Sequence, residues 1–178
     1  VWPLHGVRRL PAGIAASAAR VAGRGPAPVH LWNPPFCGDL DMEIRADGSW
    51  FYNGTPIGRP EMVRLFASIL KREGEAYFLV TPVEKVVIRV VDAPFVAVDA
   101  DIGRAITFTT NLGDQVTAGP DHLIEMRGTL DAPRPYVHIR NGLWALIDRK
   151  TFYRLADAAM PDTDGRMNVH SEGTVFPL

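Results

Sequence analysis

The middle of the chain, from Ala76 to Asn111, is a succession of short strand-like runs. β-Branched and aromatic residues dominate the segments "AYFLVTP", "KVVIRVVD", "PFVAVDADI" and "AITFTTN", and Pro, Asp and Gly separate them. Such residues pack well on a pleated, half-buried surface, whereas the separators interrupt both helix and ladder. The middle of the chain is therefore predicted to be all strand.

An amphipathic helix is predicted to begin near Arg59 and to end at Gly74. Pro60 suits the first helical position, because the N–H that proline lacks would have no partner there. Gly is a common residue just past a helix end. Apolar side chains recur at the period of one helix face: Met62, Leu65, Phe66, Ile69 and Leu70.

A second amphipathic helix is predicted to follow Asp148, which is a good N-cap residue. Pro161 would end this helix, because proline cannot continue it. Its apolar face would be formed by Phe152, Leu155, Ala156 and Ala159.

Each predicted helix follows a hairpin with an Asn-Gly turn, a strong tight-turn signal. Asn53-Gly54 precedes the first helix, and Asn141-Gly142 precedes the second. The two passages share a pattern more than residues, so they indicate a duplicated α+β unit, each copy a curved antiparallel sheet with one amphipathic helix. The predicted parts are residues 1–28 as a variable N-terminal helix and linker, 29–95 as the first half and 96–178 as the second.

Composition excludes several classes of protein. The chain has 178 residues, of which 47% are hydrophobic and 22% charged, with a net charge of −1. This composition is globular, and the lack of basic excess disfavours binding of duplex nucleic acid through phosphates. No apolar run reaches the length of a membrane span. "RRLPAGIAASAA" has a faint likeness to an export signal, but a helix over about Ile14–Val21 is favoured, and a cytoplasmic location is expected.

Cys37 is the only cysteine, which excludes an internal disulfide and fits a reducing compartment. A nucleophilic thiol needs a nearby base, and the charge of Asp39 works against a thiolate. A small buried cysteine is therefore favoured. Asp39 and Asp41 alternate and would share one strand face, either as two oxygen ligands for a divalent cation or as a solvated, protective face. No metal or cofactor is predicted.

Polar side chains in rigid stretches are the remaining candidates for a binding site. Arg59 lies at a helix start, where an arginine and backbone N–H groups together would suit an anion. Arginine, amide, carboxylate and aromatic groups are those that an anionic or aromatic small molecule requires. The turns of the two halves supply Thr81, Glu84, Lys85, Asn111, Asp114, Arg134, Tyr136 and Arg140.

Five long stretches and the final "FPL" resemble the bacterial domain-of-unknown-function 1285 family over about Val29 to Leu178. They are "HLWNPPFCGDLDM", "DGSWFYNGTPIGRPEMVRLFASIL", "YFLVTPVEKVVIRVVDAPFVAV", "TNLGDQVTAGPDH" and "PRPYVHIRNGL". The resemblance implies a duplicated α+β architecture whose second half is loosely like a pleckstrin-homology barrel. It also implies a small-ligand site between the halves, for a nucleotide-like molecule, and a role in signal transduction.

The resemblance places candidate ligand residues in both halves. In the first half they are Trp32, Asn33, Phe36, Asp39, Trp50, Tyr52, Arg59, Thr81, Glu84 and Lys85. In the second half they are Asn111, Asp114, Arg134, Tyr136, Arg140 and Asn141.

Three functions remain open on this basis. The favoured hypothesis is a non-enzymatic module that binds an anionic or nucleotide-like small molecule. The second is a protein–protein interaction domain that binds peptides by strand addition at an open sheet edge. The third is an enzyme that depends on Cys37 or on the carboxylates Asp39 and Asp41.

Overall fold

The computed structural model describes residues 12–23 and 25–178. The chain divides into two units, with the boundary between Asp92 and Ala93. Among the described residues, no helix is both long enough and apolar enough to cross a membrane.

In the part of the chain that the structure describes, the first unit is a six-stranded sheet with two α-helices and a short 3-10 helix. The helices are α1 (Ala12–Val21), the 3-10 helix Val29–Leu31 and α2 (Pro60–Ser68). The strands are β1 (Phe36–Ile44), β2 (Trp50–Tyr52), β3 (Thr55–Pro56), β4 (Leu70–Glu73), β5 (Ala76–Val80) and β6 (Lys85–Val90). They are arranged in the order β3-β2-β1-β6-β5-β4, and only the central pair β1–β6 of these neighbours is parallel.

The second unit contains another six-stranded sheet, one α-helix and a small terminal sheet. Its strands are β7 (Phe95–Ile102), β8 (Ile106–Thr110), β9 (Gln115–Thr117), β10 (Ile124–Gly128), β11 (Pro133–Arg140) and β12 (Leu143–Ile147). Their order is β10-β11-β12-β7-β8-β9, with β12 and β7 parallel. The helix α3 (Arg149–Ala158) and the sheet of β13 (Met160–Pro161), β14 (Met167–Ser171) and β15 (Thr174–Pro177) follow.

The two large sheets have the same topology, which confirms the predicted duplication. Each consists of two three-stranded meanders, and the first strand of one meander lies parallel to the last strand of the other. Strands β4–β6 of the first unit therefore correspond to β10–β12 of the second. Each sheet was expected to be antiparallel. The structure differs from this expectation in one respect, because the two central strands of each sheet are parallel. The likeness of the second half to a pleckstrin-homology barrel stays a prediction.

The two Asn-Gly turns are real but are not equivalent positions of the duplicated unit. Asn53-Gly54 joins β2 to the edge strand β3, whereas Asn141-Gly142 joins β11 to the central strand β12. Both turns have positive φ at both residues (49° and 76°, 46° and 75°), as a tight hairpin turn of this type requires. The helix lies between the meanders in the first unit and after both meanders in the second.

Both predicted helices form, but α2 ends earlier than the sequence pattern indicated. Pro60 is its first residue, as predicted, and Ser68 is its last. Leu70 instead begins β4, and Gly74, with φ of 61°, lies in the β4–β5 turn. An apolar residue near a helix end can be buried equally well by a following strand, so periodicity alone did not locate the boundary.

The capping prediction for α3 is confirmed, because the Asp148 side chain accepts a hydrogen bond from the Thr151 N–H at 2.9 Å. Leu155 and Ala159 are buried, as predicted for the apolar face, whereas Ala156 is exposed. Pro161 lies in the short strand β13 beyond the helix end.

Candidate functional site

Strands β10 to β12 present a row of basic and aromatic side chains on the face opposite the core. Val137 and Ala145 point into the core, so Tyr136 and Trp144 next to them lie on the other face. Tyr136 is nevertheless buried, with 3% of its surface exposed, because side chains such as Arg127 cover its ring. We call this surface the arginine–aromatic face. It consists of Arg127 on β10, Arg134, Tyr136 and His138 on β11, and Trp144 on β12.

The centre of the arginine–aromatic face is the guanidinium group of Arg127. Its central carbon lies 4.4 Å from the ring centroid of Tyr136 and 4.9 Å from that of Trp144. Arg134 donates from Nε to the Tyr136 hydroxyl at 3.1 Å. A cation held over an aromatic face is attracted by the ring quadrupole, and arginine is well suited to this because its group is planar. Two arginines and two rings are thereby held in one arrangement.

Glu125 partly offsets the positive charge of this face. Its Oε2 accepts from Arg127 Nε at 2.9 Å, and the same oxygen lies 2.8 Å from Arg127 NH2. Two guanidinium groups and one carboxylate leave an excess of positive charge among these three side chains. The Arg127 side chain keeps 43% of its surface exposed, so solvent and solutes reach it.

His138 is fixed at the edge of the face by two hydrogen bonds. Its Nδ1 lies 3.1 Å from the carbonyl oxygen of Asp121, and Gly142 N–H lies 3.2 Å from its Nε2. A carbonyl oxygen can only accept and an N–H can only donate, so the imidazole carries its hydrogen on Nδ1. The ring packs edge-on against Trp144, with 5.1 Å between centroids. The Trp144 ring is thus contacted by the Arg127 guanidinium group on its face and by the His138 ring.

Arg140 lies away from the arginine–aromatic face because β11 contains a bulge. His138 pairs with Trp144 but Arg140 pairs with the buried Leu143, so the extra residue turns Arg140 to the core side of the sheet. There its guanidinium lies 5.1 Å from the Phe95 ring centroid and 3.6 Å from the Asp114 carboxylate. Burial lowers the pKa of Arg140, and the nearby carboxylate opposes this effect.

Three of the predicted ligand residues come together around Phe95. Besides Arg140 and Asp114, Asn111 is bound to the residue that follows Phe95, since its Oδ1 accepts from the N–H of Val96 at 3.1 Å. Asn141 is exposed at the tip of the β11–β12 turn. The structure therefore divides the second-half candidates into two groups, Arg134 with Tyr136 and Arg140 with Asn111 and Asp114.

In the first unit, the structure brings together two lysines, one carboxylate and two phenylalanines. We call this group the lysine–phenylalanine cluster: Phe36, Lys71, Glu73, Phe78 and Lys85. Lys71 also donates to the carbonyl oxygen of Trp32 at 3.0 Å. Three of the predicted residues, Trp32, Phe36 and Lys85, are thus joined here.

Acid titration offers a test of this cluster. Hydrogen bonding by Lys85, and then by Lys71, holds the pKa of Glu73 below its ordinary value of 4.5. The folded state therefore prefers the ionised carboxylate, and its stabilisation is present above pH 4.5 and lost as the pH falls through the lowered pKa. We expect Glu73→Gln to lose less stability than the wild type between about pH 5 and 3 in urea unfolding.

The control for this titration is Glu75→Gln, at the neighbouring exposed position of the β4–β5 turn, which should keep the wild-type acid dependence. Asp47, Asp99 and Asp162 also have lowered carboxyl pKa values, so part of the acid dependence remains in every variant. Equal acid dependence of wild type and Glu73→Gln would contradict the assigned role of Glu73.

The remaining candidate ligand residues of the first half lie outside the lysine–phenylalanine cluster. Trp50 is buried in the core and stacked on Phe66 at 6.4 Å. Thr81 is buried, and its hydroxyl accepts from the N–H of Glu84 at 3.2 Å, which fixes the β5–β6 turn. The others lie outside both clusters: Asn33, Asp39 and Arg59 are exposed, and Tyr52 is half-buried on β2.

The expectation of a buried Cys37 is wrong, because its side chain is exposed. Its Sγ donates to the carbonyl oxygen of Pro35 at 3.3 Å. The reason is the length of β1, which pairs with β2 only over Met42–Ile44, so its first residues extend past the core.

Asp41, one of the two carboxylates proposed as a pair with Asp39, binds Arg89 at 2.7 Å. Within residues 12–23 and 25–178, no three His, Cys, Asp or Glu side chains are grouped as metal ligands would be.

Sequence reasoning missed Arg127, His138 and Trp144 as parts of a site. Trp144 and His138 could have been found, because the two-residue Asn141-Gly142 turn implies that the flanking strands pair and that alternate residues share a face. Arg127 has no such signal, since a longer connection separates β10 from β11. Its position over two rings depends on strand pairing that only the folded chain reveals.

Comparison with known proteins assigns the chain to a family. Family models for the N-terminal and C-terminal domains of the DUF1285 proteins, described as a domain and a protein of unknown function, match residues 27–93 and 94–178. The chain belongs to the DUF1285 family. These two matches meet one residue from the boundary of the two structural units.

Two crystal structures of DUF1285 family proteins are similar to this one. The protein from Silicibacter pomeroyi DSS-3 is 58% identical, with 93% of this chain and 94% of that chain covered and a TM-score of 0.85. The protein from Shewanella baltica OS155 is 32% identical, with 66% of this chain and 91% of that chain covered and a TM-score of 0.54. No curated protein matches. The description of the DUF1285 family states no activity, and a fold by itself does not define one.

Proposed function

We propose that this DUF1285 protein is a ligand-binding module whose arginine–aromatic face binds an anionic small molecule with a planar ring, such as a nucleotide. The observation that supports the proposal is the position of Arg127 over both Tyr136 and Trp144, at 4.4 and 4.9 Å. The phosphate or carboxylate of the ligand pairs with Arg127 and Arg134, and its ring stacks on the half-buried Trp144.

Preorganisation is the physical argument for binding at this face. A free arginine side chain loses rotamer freedom when it binds an anion, but Arg127 is already held by two rings and by Glu125. Trp144 is likewise held by His138. Ordering these side chains therefore costs little when the ligand arrives. Arginine also presents paired N–H groups that match the oxygens of a phosphate.

Thermal unfolding against mono-, di- and cyclic nucleotides tests the proposal. A ligand at about 100 times its Kd adds roughly 2.7 kcal/mol to the stability. At this chain length we expect an increase of roughly 5–10 °C in the unfolding temperature. Arg127→Met should abolish the increase, because methionine keeps much of the packing over the rings but carries no charge.

The matched control is Arg104→Met, which removes the same charge from an exposed position in the β7–β8 turn. This variant should respond to nucleotides as the wild type does. Far-ultraviolet circular dichroism of each variant without ligand checks that the fold is intact. The proposal is wrong if the wild type responds to no nucleotide, or if Arg127→Met responds as fully as Arg104→Met.

A further inference from the structure

The lysine–phenylalanine cluster has an unusual distribution of charge. Lys85 Nζ lies 2.5 Å from Glu73 Oε2 and 4.4 Å from the ring centroid of Phe78. Lys71 Nζ lies 3.4 Å from the other carboxylate oxygen of Glu73. One carboxylate therefore serves two ammonium groups, one at each oxygen, and the cluster keeps an excess of positive charge.

The corresponding meander of the second unit carries a related group of one cation, one ring and one glutamate. In β10 to β12, Arg127 lies 4.4 Å from the Tyr136 ring centroid and binds the carboxylate of Glu125. In β4 to β6, Lys85 lies at the same distance from the Phe78 ring centroid and binds Glu73. Residue identity between the halves is thin, yet both units place a cation over a ring and beside a glutamate. The glutamate lies on the first strand of the meander and the ring on the second in both units. The cation differs in origin, since Lys85 lies on the third strand, β6, and Arg127 on the first strand, β10.

Burial makes the excess positive charge significant. The Lys85 and Lys71 side chains expose only 14% and 18% of their surface, whereas the Glu73 side chain exposes 35%. Partly desolvated ammonium groups gain more from a second anion than exposed ones do, because the local dielectric constant is lower.

The surface beside the two lysines is apolar. Phe36 packs edge-on against Phe78, with 6.2 Å between ring centroids, and the Phe36 side chain is 57% exposed. An anion that carried an apolar body would cover this ring and remove its surface from water. Phe36 and Lys85 are partners on the neighbouring strands β1 and β6, so the cluster offers an apolar contact next to a charged one.

We propose that the lysine–phenylalanine cluster is a second binding site, for a small amphipathic anion with one phosphate or carboxylate group on an apolar body. The anionic group binds between Lys71 and Lys85 and displaces Glu73 from at least one of them, and the apolar body packs on Phe36. Lysine presents a compact point charge without the planar fork of arginine, so this site favours a single anionic group. All residues of this site belong to the first unit, whereas those of the arginine–aromatic face belong to the second.

Lysine-selective NMR tests this site directly, because the chain has only three lysines, Lys71, Lys85 and Lys150. A sample labelled with 13C at lysine Cε gives three signals, assigned with single Lys→Arg variants, and Lys150 of the second unit is the internal control. In a titration with phenyl phosphate, we expect the Lys71 and Lys85 signals to move together to saturation while the Lys150 signal stays in place. The proposal fails if neither signal moves, or if all three move alike.

Two variants separate the charged and the apolar contact. Glu73→Gln removes the internal competitor, so it should bind phenyl phosphate several-fold more tightly than the wild type. Phe36→Ala should lower the affinity for phenyl phosphate to that for inorganic phosphate, which the wild type binds more weakly. Unchanged or weaker binding by Glu73→Gln would overturn the role of Glu73, and equal wild-type affinity for both phosphates would overturn the apolar contact.

Discussion

Leu155→Ala is expected to destabilise the second unit by about 2–5 kcal/mol, the usual cost of truncating a buried leucine. Leu155 is fully buried on the inner side of α3, where it joins the helix to the core. Its replacement removes apolar contacts and leaves a cavity that the surrounding sheet fills only in part. Urea unfolding followed by circular dichroism should show a midpoint roughly 1–2 M lower than that of the wild type.

Leu130 provides a matched control, because the same change at a fully exposed leucine removes no core contact. Leu130 lies in the β10–β11 turn, and Leu130→Ala should stay within about 0.5 kcal/mol of the wild type. If the two variants unfold at the same urea concentration, the position of α3 on its unit is wrong.

Ser171→Ala is expected to cost about 2–4 kcal/mol, although it removes a single oxygen atom. The buried Ser171 hydroxyl donates to the carbonyl oxygen of Ala118 at 2.6 Å and accepts from the N–H of Ile106 at 2.8 Å. It thereby connects the terminal sheet with β8 and with the residue after β9. Without it, two buried backbone groups have no partner, and each costs about 1–3 kcal/mol when left unsatisfied.

Hydrogen exchange gives the specific measurement for Ser171. The Ile106 amide should exchange much faster in Ser171→Ala, in addition to the lower thermal stability. Ser49→Ala is the control, since Ser49 makes its bonds within an exposed turn to Asp47. Undiminished protection of Ile106 would show that another group satisfies this amide.

Features of the fold with local causes follow from the sequence. Asp148 caps α3, Pro60 begins α2, and both Asn-Gly turns adopt positive φ, as the sequence predicted. Each of these features depends on backbone chemistry within a few residues, such as a missing N–H, a missing Cβ or a side chain that reaches a nearby amide. The alternation of side chains between the two faces of a strand is also local, because it depends only on neighbouring residues.

Candidate ligand residues were predictable by type but not by grouping. Arg134 and Tyr136 lie two residues apart on one strand face, so their contact follows from alternation. Arg140 was expected with them, but one extra residue in β11 turned it toward Phe95 and Asp114. A bulge of this kind is set by how the strand fits its neighbour, and the sequence of β11 alone does not contain that information.

The sequence by itself determined the run of strands in the middle of the chain, the start of α2, the cap of α3, the two Asn-Gly turns and the existence of a duplicated α+β unit. Only the tertiary structure decided which strands pair at the centre of each sheet, where α2 gives way to β4, that Cys37 is exposed, and which cations lie over which rings. The physical reason is that periodicity and turn chemistry act over a few residues, whereas strand pairing and burial are chosen by the packing of segments far apart in the chain.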